Sequence, residues 1–121
     1  MKDKTFNLED RLVEFAGDII GFNKTLPNDN VGRYYNDQIL RSSGSSALHY
    51  GEAQGTVTAK DFIHKMSQVL KELRETKVSL KILNQAKIGE ASKRNYLIQE
   101  AGELAAISGK MILNKQQSMK M

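Results

Sequence analysis

Ser45, Ser46, His49 and Glu52 fall within about two helical turns, so a hydroxyl, an imidazole and a carboxylate share one short stretch. Nucleophilic catalysis asks more than these types. The base must reach the nucleophile, a third group must orient the base, and free donors must meet an oxyanion. Backbone N–H groups inside a helix are already bonded to carbonyls, which leaves no donors for such a hole. The serines read more simply as small residues that let helices approach and that bond back to their own backbone. A metal is equally poorly served. Di-metal bundles carry Glu-x-x-His on two helices and carboxylates on two more. Here the order is reversed, there is one copy, and His64 has no ligand type four residues away. Cysteine is absent, which removes thiol nucleophiles and zinc thiolates. No GxxxxGK[ST] or GxGxxG occurs. The expectation is a protein without catalytic residues, metal or cofactor.

The element carrying those residues, Arg41 to Gly55, is nearly all small side chains. Ser43, Ala47, Gly51 and Gly55 recur every fourth residue and form one stripe on a helix. Such a stripe admits a close neighbour, and the GxxxG match at Gly51–Gly55 signals packing rather than ligand binding. Four serines and interior glycines disfavour an isolated helix, so tertiary or quaternary contacts must hold it. Arg41 and Glu52 lie about three turns apart, so each needs a partner on another helix or another chain. This segment is predicted to be the assembly element, with Ser43, Ala47, Gly51 and Gly55 setting the approach and Arg41 and Glu52 as polar anchors.

The rest of the chain reads as helices. One proline, no tryptophan and 40% hydrophobic residues suit a soluble all-α domain of 121 residues with a modest core. Asn7 caps a first helix over 8–24, with Asp10 at its third position and Leu8, Leu12, Phe15, Ala16, Ile19 and Ile20 at helical spacing. Pro27 and its polar neighbours end it. A second helix spans 30–54. Thr58 and Asp61 form a capping pattern for the third, over 58–86, whose apolar face includes Phe62, Met66, Val69, Leu73, Leu80 and Leu83. Gly89 suits the following turn. The last helix, over 92–114, carries Tyr96, Leu97, Ala101, Leu104 and Ile112 before the pattern dissolves into a polar tail. Short links favour an antiparallel up-down-up-down four-helix bundle in a single domain over 1–121. The polar N-terminus lacks the apolar core of a signal peptide, no run reaches membrane-span length, and the absence of cysteine suits a reducing cytoplasm.

The charge pattern carries the strongest functional signal. The net charge is +4. On the third helix Lys60, His64, Lys71, Arg74 and Lys81 fall within roughly 100° of arc opposite the apolar face. Such a stripe can track phosphates with salt-sensitive affinity. The plainer alternative is a solvated face with pairs such as Lys71–Glu75. Lys110, Lys115 and Lys120 follow the last acid, Glu103.

Three stretches taken together carry a resemblance. They are Leu8-Glu9-Asp10-Arg11-Leu12-Val13-Glu14-Phe15-Ala16, the segment from Gln38-Ile39-Leu40-Arg41-Ser42 to Glu52-Ala53-Gln54-Gly55, and Lys60-Asp61-Phe62-Ile63-His64-Lys65-Met66 to Lys71-Glu72-Leu73-Arg74-Glu75-Thr76. In this order they resemble the four-helix-bundle proteins encoded in intervening sequences of bacterial 23S ribosomal RNA genes, once classed with ribosomal proteins. Accessory proteins of diversity-generating retroelements are similar. The resemblance implies a ring-like homo-oligomer, a pentamer, without enzymatic activity. It also implies RNA or DNA, and a reverse transcriptase or other protein, as partners. Arg41, Ser46, Tyr50 and Glu52 are its motif positions, implied to lie at a helix interface. A protein-interaction scaffold with no nucleic-acid role is the alternative.

Overall fold

The computed structural model describes residues 7–120; residues 1–6, most of the polar N-terminus, lie outside them. Four helices follow one another: α1 (Leu8–Asn23), α2 (Asn30–Gln54), α3 (Ala59–Ala86) and α4 (Ala91–Met119). No strand occurs among the described residues. Successive helices pack on each other and α1 also reaches α4, while the backbones of the diagonal pairs stand farther apart. Cross-helix partners run in opposite directions along the chain. Arg41 meets Glu75 while Glu52 meets Lys65, and Arg94 meets Asn84 while Lys115 meets Phe62. The result is the antiparallel up-down-up-down bundle that the short links favour.

Local chemistry sets the ends. Asn7 accepts the Asp10 N–H at 3.0 Å, Asp29 that of Gly32 at 2.9 Å and Thr58 that of Asp61 at 3.1 Å. Each satisfies a donor that a helix start leaves free. The Glu90 carboxylate accepts the Ser92 and Lys93 N–H groups at 3.0 Å and caps α4. Helix α3 ends ahead of the expected glycine: Lys87 takes the left-handed conformation (φ 59°), and Gly89 follows at φ 87°. A Cβ at Gly89 would sit 2.6 Å from the Phe22 ring, so backbone angle and space both require glycine there. Gly32 is demanded differently, because the Pro27 carbonyl occupies the place of its missing Cβ.

Helix α4 continues to Met119 rather than dissolving after Asn114. Nothing in Gln116-Gln117-Ser118-Met119 breaks a helix, and Lys115 Nζ lies 5.0 Å above the Phe62 ring centre, tying this turn to α3. Apolar periodicity also misplaces two residues: Ile20 and Tyr96 are half exposed, whereas Phe22, outside the expected set, is fully buried. The core is built from Leu12, Phe15 and Ile19 of α1, Ile39 of α2, Met66, Leu73, Leu80 and Leu83 of α3, and Leu97 and Leu104 of α4.

Candidate functional site

In α2 the small residues divide between two directions. Ser42, Ser43, Ser46, Tyr50 and Ala53 are buried, Ala47 is half-buried, and Gly51 and Gly55 face solvent. The inward serines are satisfied within the chain. Ser46 donates to the Ser43 carbonyl at 2.7 Å. The Thr76 hydroxyl donates to the Glu72 carbonyl, so in the 2.6 Å Ser42–Thr76 contact Ser42 is the donor. Small hydroxyls thus let α2 and α3 approach while each of them keeps a partner. Both polar anchors find those partners on α3. Arg41 donates to Glu72 at 3.3 Å and to Glu75 at 3.1 Å, and Lys65 donates to Glu52 at 2.7 Å. The Lys65 ammonium, with the nearby imidazole of His49 adding to it, holds the Glu52 carboxyl below its ordinary range.

No hydrogen bond among the described residues joins Ser46 to His49. His49 Nδ1 lies 3.4 Å from Glu52 Oε1 without hydrogen-bond alignment. Hydroxyl and imidazole are therefore not coupled as a nucleophile and its base. No group of three metal-ligating side chains converges among the described residues.

On α3 the structure exposes all five residues of the basic stripe: Lys60, His64, Lys71, Arg74 and Lys81. None pairs with a carboxylate among the described residues. The Lys71–Glu75 pair expected of an ordinary solvated face does not form, because Glu75 turns to Arg41. Glu100 and Glu103 of α4 turn the other way, to Arg11. These acids are thus drawn off to the two sides of the face. Exposed Val78 and Ile82 interleave with the stripe, and a shallow hollow of about 610 Å³ opens among Ser67, Leu70, Lys71, Arg74, Glu75 and Val78.

The α1–α4 side holds what the sequence did not disclose. Arg11 clamps α4, donating from Nε and Nη2 to the two Glu100 oxygens at 2.7 and 2.8 Å, and again from Nη2 to Glu103 at 2.7 Å. The bond to Glu100 makes the guanidinium hold its proton more tightly, and the clamp lowers the Glu103 carboxyl. At the other end Phe22 packs on Gly89, and the Glu90 N–H donates to Thr25 at 3.0 Å. Buried Arg94 donates to Asn84 at 2.8 Å and to the Ile88 and Gly89 carbonyls at 2.9 and 2.8 Å, fixing the turn. Between these ties the helices part into a groove of about 420 Å³ lined by Gly17, Asp18, Gly21, Lys93, Tyr96 and Leu97. Partial burial, then Glu14 and Glu100, pushes the Asp18 carboxyl up. The one sequence signal for this groove was the four-residue spacing of Gly17 and Gly21, the same spacing that marked Gly51 and Gly55.

No protein of curated function matches the chain. It is similar to a crystal structure of a protein of unknown function from the S23 ribosomal protein family of Bacteroides thetaiotaomicron. The two share 27% identity over 88% of this chain and 98% of that one, with a TM-score of 0.80. The sequence pattern of the 23S rRNA-intervening sequence proteins matches residues 5–110. With that match spanning most of its length and the bundle agreeing in fold, the chain belongs to the 23S rRNA-intervening sequence protein family.

Proposed function

We propose that this chain is a non-enzymatic accessory protein that assembles with copies of itself in the cytoplasm and contacts RNA or DNA through the outer face of α3. One observation carries the reading: Lys60, Lys71, Arg74 and Lys81 are exposed along one face, and the nearby carboxylates are engaged elsewhere. Uncompensated cations in a row suit the regular charge of a phosphate backbone, whose release of counterions favours binding. Lys110 on α4 and Lys120 just past its end, both exposed, extend the positive charge toward the C-terminus. The absence of exposed aromatics within the stripe favours backbone contact over base readout.

Fluorescence anisotropy with labelled RNA and DNA across a salt series tests this. Lys71→Glu combined with Arg74→Glu is expected to weaken binding about tenfold or more, and to flatten the salt dependence by about one unit for each phosphate no longer held. Millimolar-only binding at low salt, unchanged by the pair, overturns it.

Val78, Ile82 and the hollow over Leu70 favour a second reading, in which α3 docks a protein such as a reverse transcriptase and touches no nucleic acid. That reading predicts a defined protein complex that is abolished by Val78→Asp and indifferent to added RNA. A reverse transcriptase gene or an rRNA gene beside this one would separate the two.

A further inference from the structure

We propose that the outer face of α3 takes a double helix rather than a single strand and lies across one of its grooves; this rests on the reading of that face as a nucleic-acid surface and names the form it fits. The face is one straight row. Ser67 and Val78 fall into line with the five basic residues, at alternating steps of four and three, and every member of the row is exposed. From Lys60 to Lys81 the row runs about 31 Å, at a rise of about 1.5 Å per residue. That is the length of about nine base pairs at about 3.4 Å each.

The row is interrupted at regular places. Seven residues, about 10 Å, separate His64 from Lys71, and another seven separate Arg74 from Lys81. Neither residue inside these gaps has a donor to offer. The Ser67 hydroxyl donates back to the Ile63 carbonyl at 2.8 Å, and Val78 is apolar and 55% exposed. Donors thus fall into three groups with short side chains between them. A double helix presents a matching pattern, two phosphate rails on either side of a groove. The B-form major groove is about 12 Å wide, and the A-form minor groove is wide and shallow. Neighbouring donor groups reach the two rails, while Ser67 and Val78 lie over grooves.

A single strand asks for different features. Proteins that hold one use a channel along the backbone and aromatic rings on which bases stack. Helix α3 has no Tyr or Trp, and its one Phe, Phe62, is half-buried with Lys115 Nζ 5.0 Å above the ring. Exposed Tyr34 and Tyr96 stand on other helices, and the hollow beside Val78 is lined by no aromatic ring. Acids do not interrupt the row. Glu75 is held by Arg41, and Asp61 falls to the α2 side, in line with Lys65 and Glu72, which both reach α2.

Fluorescence anisotropy on the full chain tests this with RNA and DNA strands of about 20 nucleotides, each offered single and as its blunt duplex, across a salt series. Duplexes are expected to bind about tenfold or more tightly than their own strands, with a salt slope of about −3.6 for about four phosphates held. Val78→Lys, at an exposed position, should keep the helical circular dichroism. It puts a cation over a groove, where a duplex has no phosphate but a flexible strand can bend to it. Single strands should therefore gain severalfold and duplexes little. A preference that came only from the higher charge density of a duplex would survive this change, so an unnarrowed preference overturns the groove placement. Single strands that bind as tightly as duplexes overturn the proposal while leaving α3 a nucleic-acid face. No salt-dependent binding to any of the four removes that reading and this one with it. An RNA duplex bound well above the DNA duplex, or the reverse, supports the proposal and assigns the A or the B form.

Discussion

The α2–α3 and α1–α4 sides of the bundle use the same device with different consequences. In each, one arginine spans two carboxylates three residues apart on the neighbouring helix: Arg41 on Glu72 and Glu75, Arg11 on Glu100 and Glu103. On the α2–α3 side the arginine is peripheral, with a side chain 53% exposed and bonds of 3.1–3.3 Å. Buried Ser42 and Thr76 have already brought the backbones together. On the α1–α4 side the arginine is a principal tie. It is 29% exposed, bidentate and shorter, and between it and the Phe22–Gly89 contact the helices part over two glycines. A close seam leaves nothing for a partner to enter, whereas helices tied at both ends leave a recess between. Closeness of packing, rather than number of ion pairs, separates the two sides.

The largest effect is expected where that recess is anchored. Gly89→Ala adds a Cβ against the Phe22 ring at a positive φ, and should cost about 3 kcal/mol in urea unfolding. An unchanged midpoint would show that the turn repacks freely and that Phe22 does not tie α1 to α4.

The two arginines come next. Arg11→Ala strands the mostly buried Glu100 carboxylate and should cost about 2–3 kcal/mol. Arg41→Ala, on the more exposed pair, should cost under about 1 kcal/mol. Equal losses would erase the contrast between the sides.

The smallest effect is a pH dependence of opposite sign at two carboxyls of the α1–α4 side. Glu103 is held below its ordinary value, so its contribution is present above the unfolded-state value and is lost as pH falls through the lower folded one. Asp18 is pushed up, so the folded state holds its proton longer, and the site costs stability once pH rises through the folded value. Asp18→Asn should therefore stabilise the chain slightly at pH 7, with the gain vanishing below about pH 4. A gain that persists in acid would contradict the assignment.

How much of this was legible depends on the range of the interaction. The caps at Asn7 and Thr58 could be read directly, because a cap joins residues three apart. The basic face of α3 could be read because charge and helical period are local properties, and the structure exposes all five residues. The anchoring of Arg41 and Glu52 was half legible. That both needed partners beyond their own helix followed from spacing, but their capture by α3 depends on register between helices. Arg11 and the α1–α4 groove could not be read because their partners lie far along the chain, 89 residues on in the case of Arg11 and Glu100. Arg94 finds its partners only five to ten residues back, but across an irregular turn that no helical period describes. Ile20 and Tyr96 were misplaced for a related reason. Both fit an apolar period, but a four-helix square buries only part of each helix surface, and its packing decides which apolar residues fall outside.

By itself the sequence determined four helices, their order, most of their ends and the sign of the α3 face, since each follows from contacts within a few residues. Only the tertiary structure decided that α2 closes onto α3 through hydroxyls and that α1 stands away from α4 over Gly17 and Gly21. It alone drew Glu75 to Arg41 and left Lys71 without a carboxylate partner among the described residues. These outcomes depend on the height at which one helix meets the next, and register between helices is fixed by the simultaneous fit of many side chains rather than by any stretch of sequence.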